Sequence, residues 1–511
     1  MQPLAPLTLE IIVLILGIYL LLAESFSKDT DKNWMAFSSI FVLFWVFAFS
    51  FFTTGNPPEG HATGFWSFYS ADPAALFFKR IALLTTIVVL AMSVEYKGTI
   101  ERYIHGEKPG AGLGEFYALP VFTCAGLMFM ASAVDFLLIF VSLELVTISF
   151  YVLVSYMRRN PASLEAGVKY LILGALSTGF LVYGITWIFG VTGETNLSRI
   201  AEKVPQLANA SHALLFGLML VLVGLGFKVA AAPFQLWVPD VYQGAPTPIT
   251  AFLSVGSKAA GFIVLMRVVQ AFLHVQNGDD VLIGKIVAVL AVLAALSLLY
   301  GNLAAMPQDN LKRLLAYSSI GHAGYLLVAM ASVNSQVGFG SAYLAIGYYL
   351  AGYLLMTLLS FLILVVVASH SRGDDILHFN GLAKRSPFLA FGMLIAMLSL
   401  AGIPFTVGFY GKLLVFAAAI QQHHFVLVTI GAITVAAGFY YYLRVVTAMY
   451  WQEPNDETRI TLNPLTRLII GVLVLAIVVF GIFPDPILSM LRPHSDPAAA
   501  SAVAKVDGPK S

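Results

Sequence analysis

The sequence predicts an all-α polytopic membrane protein with about 14 transmembrane helices. Of its 511 residues, 59% are hydrophobic and 11% are charged, whereas a soluble globular chain averages roughly 25% charged residues. Apolar stretches recur along the whole chain, and many reach the roughly 20 residues that a bilayer core about 30 Å thick requires. These observations exclude a soluble enzyme, because such a sequence cannot cover a water-facing surface.

The stretches that could span the bilayer follow one another from the N-terminus to the C-terminal region. They begin near Leu7, Trp34, Ala74, Leu113, Val134, Leu164, Ala213, Thr247, Val281, Asn310, Phe339, Phe388, Phe425 and Leu465. We divide the chain into three N-terminal helices at residues 1–112, a five-helix unit at 113–273, a second five-helix unit at 281–450, a last helix at 463–483 and a short, frayed tail at 484–511.

Charge and cysteine content exclude several other classes of protein. The 28 basic residues barely outnumber the 27 acidic ones, so there is no basic excess to bind nucleic acid. The single cysteine, Cys124, cannot form an internal disulfide or ligate an iron–sulfur cluster alone. The Gly-rich stretch from His105 to Phe116 follows no strand, so it indicates a loop rather than a phosphate-binding turn.

Lys and Arg are distributed unevenly between the two sets of loops. One set carries 15 of these residues, and the opposite loops and tails carry 7. Because cytoplasmic loops have the excess of Lys and Arg, we expect both termini to face away from the cytoplasm.

Eight ionisable residues fall inside the predicted spans: Lys79, Arg80, Glu144, Lys169, Lys228, Lys258, His322 and Lys412. An ionisable group inside the membrane costs several kcal/mol, so each one marks a functional hypothesis. Lys79 and Arg80 lie within two turns of a helix start, and we expect them to extend to the interface. Lys169 lies five residues past Leu164 and is either an interfacial anchor or a functional group.

The other five ionisable residues lie too deep to reach the interface easily. Glu144 is ten residues past Val134, about 15 Å along a helix, and Lys258 is at a similar depth. The alternative for each is a polar group that a neighbouring helix satisfies. This alternative carries most weight for His322, twelve residues past Asn310.

Two spans contain a proline in the middle of an apolar run. Pro233 interrupts the seventh span and Pro404 the twelfth, and proline removes a helical hydrogen bond and kinks or breaks a helix. Interruptions at corresponding places in two halves indicate an inverted-repeat transporter fold. Because five spans separate the prolines, we expect inverted repeats formed by spans 4–8 and 9–13, with broken helices 7 and 12.

The buried charges suggest how protons could be moved. A Glu144–Lys228 ion pair would avoid leaving either charge unpaired at depth. Lys258 has no acidic candidate on its own or the preceding span. Lysine suits proton exchange because its proton affinity responds to burial and to partners, whereas arginine stays protonated.

Five motifs surround the buried charges. The longest is FKVAAAPFQLWVPDVYQGAPTPITAFLSVGSKAAGF at residues 227–262. The others are FVSLELVTISFYVLVSY around Glu144, EAGVKYLILGALSTG around Lys169, NLKRLLAYSSIGHAGYLL around His322 and AGIPFTVGFYGKLLVF around Lys412. Together they resemble one known family, the antiporter-like subunits of proton-pumping NADH:quinone oxidoreductase, respiratory complex I. The likeness extends over nearly the whole chain in the same order.

The resemblance implies a fourteen-helix fold with two inverted five-helix repeats and a proton pathway along the membrane axis. It assigns the Glu144–Lys228 pair, Lys258 and Lys412 to that pathway, with Lys169 contributing and His322 connecting its halves. Lys412 favours the branch of the family that has lysine at this position over subunit M, which carries glutamate there.

The resemblance also implies partners and a location. It places the chain in a bacterial plasma (inner) membrane beside other membrane-arm subunits, namely the adjacent antiporter-like subunit M and small membrane subunits. FMN, iron–sulfur clusters and quinone are expected in partner subunits, and no cofactor is expected in this chain. The alternatives are a subunit of a multisubunit cation/proton antiporter, which shares the fold, and a passive scaffold.

Overall fold

The computed structural model describes residues 7–27, 31–53, 64–104, 112–207, 211–273, 280–333, 340–371, 373–454 and 459–491. Within these ranges the chain is helical, and β-structure is limited to three isolated bridges. Most of the predicted Gly-rich loop, residues 105–111, and the end of the predicted tail, residues 492–511, lie outside the described residues.

Twelve α-helices make up the described part of the first half of the chain, and the first predicted break lies among them. They are α1 (Thr8–Phe26), α2 (Asn33–Phe49), α3 (Pro73–Glu95), α4 (Lys97–Tyr103), α5 (Leu113–Ser132), α6 (Phe136–Val154), α7 (Pro161–Thr192), α8 (Leu197–Lys203), α9 (Ser211–Val229), α10 (Val238–Gly244), α11 (Thr247–Phe252) and α12 (Lys258–Leu273). A π-helical turn, Leu253–Ser257, joins α11 to α12.

The remaining helices belong to the second half of the chain. They are α13 (Asp280–Ala305), α14 (Leu311–Ala331), α15 (Gly340–Ser371), α16 (Leu382–Arg385), α17 (Pro387–Ala401), α18 (Val407–Gln421), α19 (Phe425–Trp451), α20 (Pro464–Ile482) and α21 (Asp485–Leu491).

Several long helices begin with the same local sequence, an Asp or Asn followed by proline. Asp72 accepts a hydrogen bond from the backbone N–H of Ala75 at 2.7 Å, and the Asn160 and Asn463 side chains cap α7 and α20 in the same way. The capping oxygen satisfies an orphan N–H, and proline at the first helical position has no N–H to satisfy. These pairs explain where the spans start.

The predicted all-α membrane fold is confirmed. In the described residues, twelve helical segments of at least 18 residues are apolar enough to span a bilayer. The other two predicted spans coincide with α2, which has 17 residues, and with the pair α17 and α18, which have 15 each. The predicted starts of all fourteen spans lie within about three residues of a helix start.

Both predicted breaks fall where helices end. Pro233 lies between α9 and α10, and Pro404 lies between α17 and α18. Each connecting segment contains a non-glycine residue with positive φ, Ala230 at 65° and Phe405 at 69°. This conformation is unfavourable for a residue with a Cβ and persists only where the surroundings hold it. The two breaks therefore share a backbone feature as well as a proline.

The tail after residue 484 is more regular than the sequence predicts. Residues Asp485–Leu491 form α21, and Ile487, Leu488 and Leu491 are buried. A Cβ added to Gly347 of α15 would lie 2.6 Å from a methyl carbon of Leu491. Frayed structure was expected from the short Ala- and Pro-rich composition, but these three apolar side chains pack on the bundle and stabilise the helix.

Close packing of α13 on α14 depends on glycine, and this gives a first prediction. A Cβ on Gly301 would lie 2.9 Å from the Cα of Gly321, a distance that real Cβ atoms do not show. We expect Gly301→Val to separate the helices and to reduce the amount of assembled protein in membranes, because overpacking typically costs about 1–3 kcal/mol.

The matched control for this substitution lies on the same helix. Gly284 is exposed, and a Cβ added there would meet no atom within 4 Å. Gly284→Val should leave the protein level unchanged, as measured by immunoblotting of membranes. Equal loss in both variants would show that valine in α13 is harmful by itself and that the close approach is not the cause.

Candidate functional site

The break after α9 is held by partners from other parts of the chain. The N–H of Ala232 donates to Oγ of Ser297 on α13 at 2.8 Å, and Nε1 of Trp237 donates to the carbonyl of Phe227 at 3.0 Å. Unpaired backbone at membrane depth is tolerated only where protein buries it or where it lines a wet cavity. These bonds let the chain remain non-helical beside Lys228.

Lys228, near the end of α9, is 5% exposed. Its Nζ donates to Oγ1 of Thr147 on α6 at 3.0 Å. The lysine also packs against α12, because a Cβ added to Gly261 would lie 3.4 Å from Cγ of Lys228. The side chain is therefore placed between the α6 hydroxyl and the helix that carries Lys258.

The expected Glu144–Lys228 ion pair is not formed. No contact within 4.0 Å joins the two charged groups, both of which are described. Oε1 of Glu144 instead accepts from Oγ1 of Thr178 at 2.9 Å, while Thr147, three residues further along α6, accepts from Lys228. The hydroxyls are closer partners than the opposite charge, although the carboxylate stays within electrostatic range of the lysine.

A small cavity of about 10 Å³ lies between these two hydroxyls and is lined by Thr147, Thr178 and Lys228. A void of this size is at the lower limit for holding one water molecule. One water there would have the two hydroxyls and the ammonium as partners. The cavity therefore adjoins Lys228 and the hydroxyl that binds Glu144, and its lining does not include Glu144 itself.

Glu144 lies in the exposed face of α6. The side chain is half-buried, and its neighbours along that face, Leu137, Val141 and Ile148, are 53%, 62% and 56% exposed. An ionisable side chain facing hydrocarbon is costly. The carboxyl group of Glu144 therefore lies at the centre of an exposed apolar face of α6.

Lys258 is buried at the start of α12, directly after the π-helical turn, and is 1% exposed. Its Nζ donates to the backbone carbonyl and to the hydroxyl of Ser319 on α14. It also lies 5.1 Å from the ring centre of Tyr353 on α15. No acidic group of the described residues lies within ion-pair distance, as the sequence predicts. π-helical turns are frequent at functional sites.

His322 lies at the centre of the bundle between two tyrosine hydroxyls. Its Nδ1 is 2.7 Å from the OH of Tyr349 and its Nε2 is 3.1 Å from the OH of Tyr442. Both ring nitrogens therefore have a partner that can donate or accept.

Lys412, on α18, is 6% exposed and reaches back to the second break. Its Nζ donates to the carbonyls of Leu400 and Ala401 at 2.9 and 2.8 Å. These carbonyls are at the C-terminal end of α17, where helix carbonyls have no intrahelical partner and a positive charge is favourable. The ammonium also lies 5.2 Å from the ring centre of Tyr325.

Aromatic rings fill the space between these three groups. The Tyr353 ring, which contacts Lys258, is 5.1 Å from the His322 ring between centres, and the Tyr325 ring, which contacts Lys412, is 6.3 Å from it. The structure thus brings Lys258, His322 and Lys412 together into one buried row, with Lys228 beside it on α9.

Lys169 lies apart from this row. It is 42% exposed, and its Nζ forms ion pairs at 2.7 Å with Glu165 and with Asp240 of α10. Asp240 also accepts from Arg313 of α14 at 2.9 Å. Of the two sequence interpretations for Lys169, the position favours an anchor at the edge of the bundle.

Lys79 does not extend to an interface as expected. It is fully buried in an ion pair with Glu10 at 2.7 Å. Arg80 is half-buried and donates to the carbonyl of Ser50 at the end of α2 at 2.8 Å. The expectation for Lys79 considered only the distance from the helix start, whereas its partner on α1 keeps the side chain inside the bundle.

Tyrosines are the part of the site that the sequence interpretation missed. Tyr349 and Tyr353 are four residues apart on α15, one turn of a helix, and Tyr442 lies on α19; all three are buried. Regular spacing of hydroxyl-bearing aromatics on apolar spans is a signal that could have identified them, because a buried Tyr O–H usually needs a hydrogen-bond partner.

Comparison with known proteins identifies the family of this chain. A family model described as NADH:quinone oxidoreductase/Mrp antiporter, TM matches residues 133–438. NADH-quinone oxidoreductase subunit N from Dehalococcoides mccartyi is 34% identical over 488 residues, which cover 94% of this chain and 97% of that protein. The chain belongs to the subunit N branch of this family.

Solved structures resemble this subunit N family member over nearly its full length. A chain of respiratory complex I from Thermus thermophilus with bound aureothin has a TM-score of 0.76 and 30% identity, covering 94% of this chain and 99% of that one. A chain of the Mrp complex from Dietzia sp. has a TM-score of 0.81 at 18% identity, covering 95% and 96%, which shows a shared fold. The resemblance stated from the motifs, including the branch that Lys412 favours, is confirmed.

Proposed function

We propose that this chain is a proton-translocating, antiporter-like subunit of the membrane arm of an NADH:quinone oxidoreductase. The observation that carries this proposal is the buried row of Lys258, His322 and Lys412 with tyrosine hydroxyls on both imidazole nitrogens. A neutral imidazole accepts a proton at one nitrogen while it donates from the other. The row therefore has the groups that proton transfer between two lysines requires.

The lysines hold the proton at the two ends of this row. Lys258 binds a proton with a carbonyl, a hydroxyl and an aromatic face as partners and without a carboxylate that would retain the charge. His322 then relays it through Tyr349 or Tyr442, whose hydroxyls are both donors and acceptors. Lys412 receives it at the end of α17, where two carbonyls stabilise the ammonium.

Control of this transfer would come from Glu144 and Lys228. A change in the charge of the half-buried Glu144 acts on Lys228 electrostatically, and Thr178 and Thr147 are the hydroxyls that bind the two groups. We propose that a neighbouring membrane-arm subunit covers the exposed face of α6 and sets that charge, with subunit M and small membrane subunits among the neighbours. Redox chemistry with FMN, iron–sulfur clusters and quinone would take place in partner subunits.

The two five-helix units are proposed to be inverted repeats, 113–273 and 281–450, after an N-terminal unit at 1–112 and before the last helix at 463–483. The shared positive φ of Ala230 and Phe405 at the two breaks supports this correspondence. The uneven distribution of Lys and Arg supports both termini lying on the non-cytoplasmic side of a bacterial plasma (inner) membrane.

Purification of the tagged chain with its natural partners tests this proposal. We expect it to co-purify with NADH-oxidising subunits, and the complex in liposomes to move protons on addition of NADH and quinone whether or not sodium is present. The second candidate, a subunit of a cation/proton antiporter, is favoured by the structural similarity to the Mrp complex. Recovery without NADH-oxidising subunits, together with sodium-driven proton movement, would support that candidate and contradict the first.

A further inference from the structure

The short helix α10, which follows the first break, carries one acidic side chain that binds cations from two long helices. Oδ2 of Asp240 accepts from Nζ of Lys169 on α7 at 2.7 Å, and Oδ1 accepts from Nη1 of Arg313 on α14 at 2.9 Å. Each carboxylate oxygen therefore has its own cationic partner. This carboxylate joins α7, α10 and α14 at one edge of the bundle.

Further contacts fix the other end of α10. The carbonyl of Ala245, which directly follows the helix, accepts from Nζ of Lys312 at 2.8 Å. A Cβ added to Gly244 would lie 2.4 Å from the carbonyl oxygen of Ala162 on α7, so the two backbones approach closely there. The helix has only seven residues, and helices this short are not stable by themselves. Its contacts with α7 and α14 therefore decide where it lies.

Tyr242, two residues past Asp240, reaches the group that binds Lys258. It is 1% exposed, and its hydroxyl lies 3.3 Å from Oγ of Ser319 on α14. The same Oγ accepts from Nζ of Lys258. The backbone of Tyr242 is held as well, because its carbonyl accepts from the hydroxyl of Thr250 at 3.0 Å. Helix α10 thus connects the ion pairs at the edge of the bundle with the buried row.

The Tyr242 hydroxyl allows Ser319 to bind both charge states of Lys258. A hydroxyl group has one hydrogen to donate and two lone pairs that accept. When Lys258 is charged, Ser319 accepts from the ammonium and donates its own hydrogen to Tyr242. When Lys258 is neutral, Tyr242 donates to Ser319, and Ser319 donates to the lysine nitrogen. Ser319 therefore stays paired in both states, whereas an unpaired polar group in a buried site would be costly.

We propose that Asp240 is a positioning residue for proton exchange at Lys258. It holds α10 at the place where the Tyr242 hydroxyl reaches Ser319. Without the negative charge, α7 and α14 no longer share an acceptor on α10, and the contact of 3.3 Å between the two hydroxyls lengthens. Ser319 then lacks its donor when Lys258 is neutral. This inference rests on the proposed function, since it describes how proton exchange at the row is supported.

The exposure of the three ionic side chains indicates that the complex should assemble without these ion pairs. Lys169, Asp240 and Arg313 are 42%, 34% and 30% exposed, and pairs in such positions contribute little to stability. We therefore expect the loss of Asp240 to change the position of α10 and to leave the rest of the bundle in place. A defect in transport with normal assembly is the expected result.

A double-mutant cycle of Asp240 and Tyr242 tests this inference by NADH-driven proton pumping of the intact complex in liposomes. We expect Asp240→Asn and Tyr242→Phe each to lower the pumping rate about two- to tenfold, the range for the loss of one positioned hydrogen bond. The double variant should be no slower than Tyr242→Phe, because residues that act through one contact are not additive. Glu165→Gln is the matched control, since Glu165 pairs with Lys169 at 2.7 Å from within α7; it should leave the rate unchanged.

Three results would overturn the inference: losses that multiply in the double variant, wild-type pumping in Asp240→Asn, or an equal loss in Glu165→Gln. If Asp240→Asn does not assemble, Arg313→Gln, which removes only the α14 partner, takes its place in the cycle with the same outcomes. Lys258→Met, measured in parallel, separates this test from the proposed function. Normal pumping in Lys258→Met contradicts the proposed function, whereas lost pumping there with multiplied losses in the cycle contradicts only the positioning role.

Discussion

Replacement of Lys258 by methionine is expected to abolish most proton pumping while the complex still assembles. Methionine fills similar space, and Ser319 keeps a hydroxyl neighbour in Tyr242 at 3.3 Å, so the packing is retained. The substitution removes the group that holds the proton at the start of the row. We expect NADH-driven pumping to fall by at least about tenfold, because a positioned proton-transfer group contributes roughly 10²- to 10⁴-fold. Acidification of liposomes containing the purified complex measures this.

Lys384→Met is the control for the loss of one lysine. Lys384 is 62% exposed and pairs with Glu453 at 2.8 Å, and surface pairs of this kind contribute little to stability. Its pumping rate should equal that of the unmodified complex. Wild-type pumping in Lys258→Met, with the substitution confirmed in the purified complex, would contradict the role assigned to this lysine.

Substitution of Lys412 is expected to affect both thermal stability and proton pumping, and two different replacements can separate these effects. Lys412→Met removes the donor from two carbonyls at the end of α17, and hydrogen bonds to charged groups are worth about 1.5–3 kcal/mol each. Both thermal stability and pumping should therefore fall. Lys412→Arg keeps a charged donor but cannot release its proton, so we expect near-normal stability with pumping reduced at least about tenfold.

Thermal inactivation of the complex and proton pumping, measured in parallel, test this separation. Pumping at the wild-type rate in Lys412→Arg would show that the residue is needed for its charge alone. Equal losses of stability in Lys412→Met and Lys412→Arg would show instead that only the shape of lysine fits the site. That result would contradict the assignment of the carbonyl contacts as the source of stability.

Much of the fold follows from a few simple features of the sequence. The length of the apolar runs predicts the spans, Asp-Pro and Asn-Pro pairs locate several starts, and two mid-span prolines predict the breaks at Pro233 and Pro404. The helix α21 is not predicted, because seven residues with three buried apolar side chains are too short for a periodic signal. Its stability comes from contacts with α15, which are distant in sequence.

Only part of the site could be predicted, because the position of a residue along a span indicates whether it is buried but not what it contacts. These positions correctly identified Lys228, Lys258, His322 and Lys412 as buried. They did not distinguish a carboxylate from a nearby hydroxyl as the partner of Lys228, because Glu144 and Thr147 lie three residues apart on the same helix and differ in exposure. The ion pair between Lys79 and Glu10 was not predicted either. It forms because α3 packs beside α1, and the sequence of a single span does not show which helices will be neighbours.

The hydrogen bond from Ala232 to Ser297 has a consequence for the insertion of the newly made chain. The donor lies in the break after α9, but its acceptor is on α13, which leaves the ribosome more than 60 residues later. Until that span enters the bilayer, the amide at residue 232 lacks its native acceptor in a medium that offers few others. Nascent chains halted between these two positions should therefore be the ones that membrane quality-control proteases remove first.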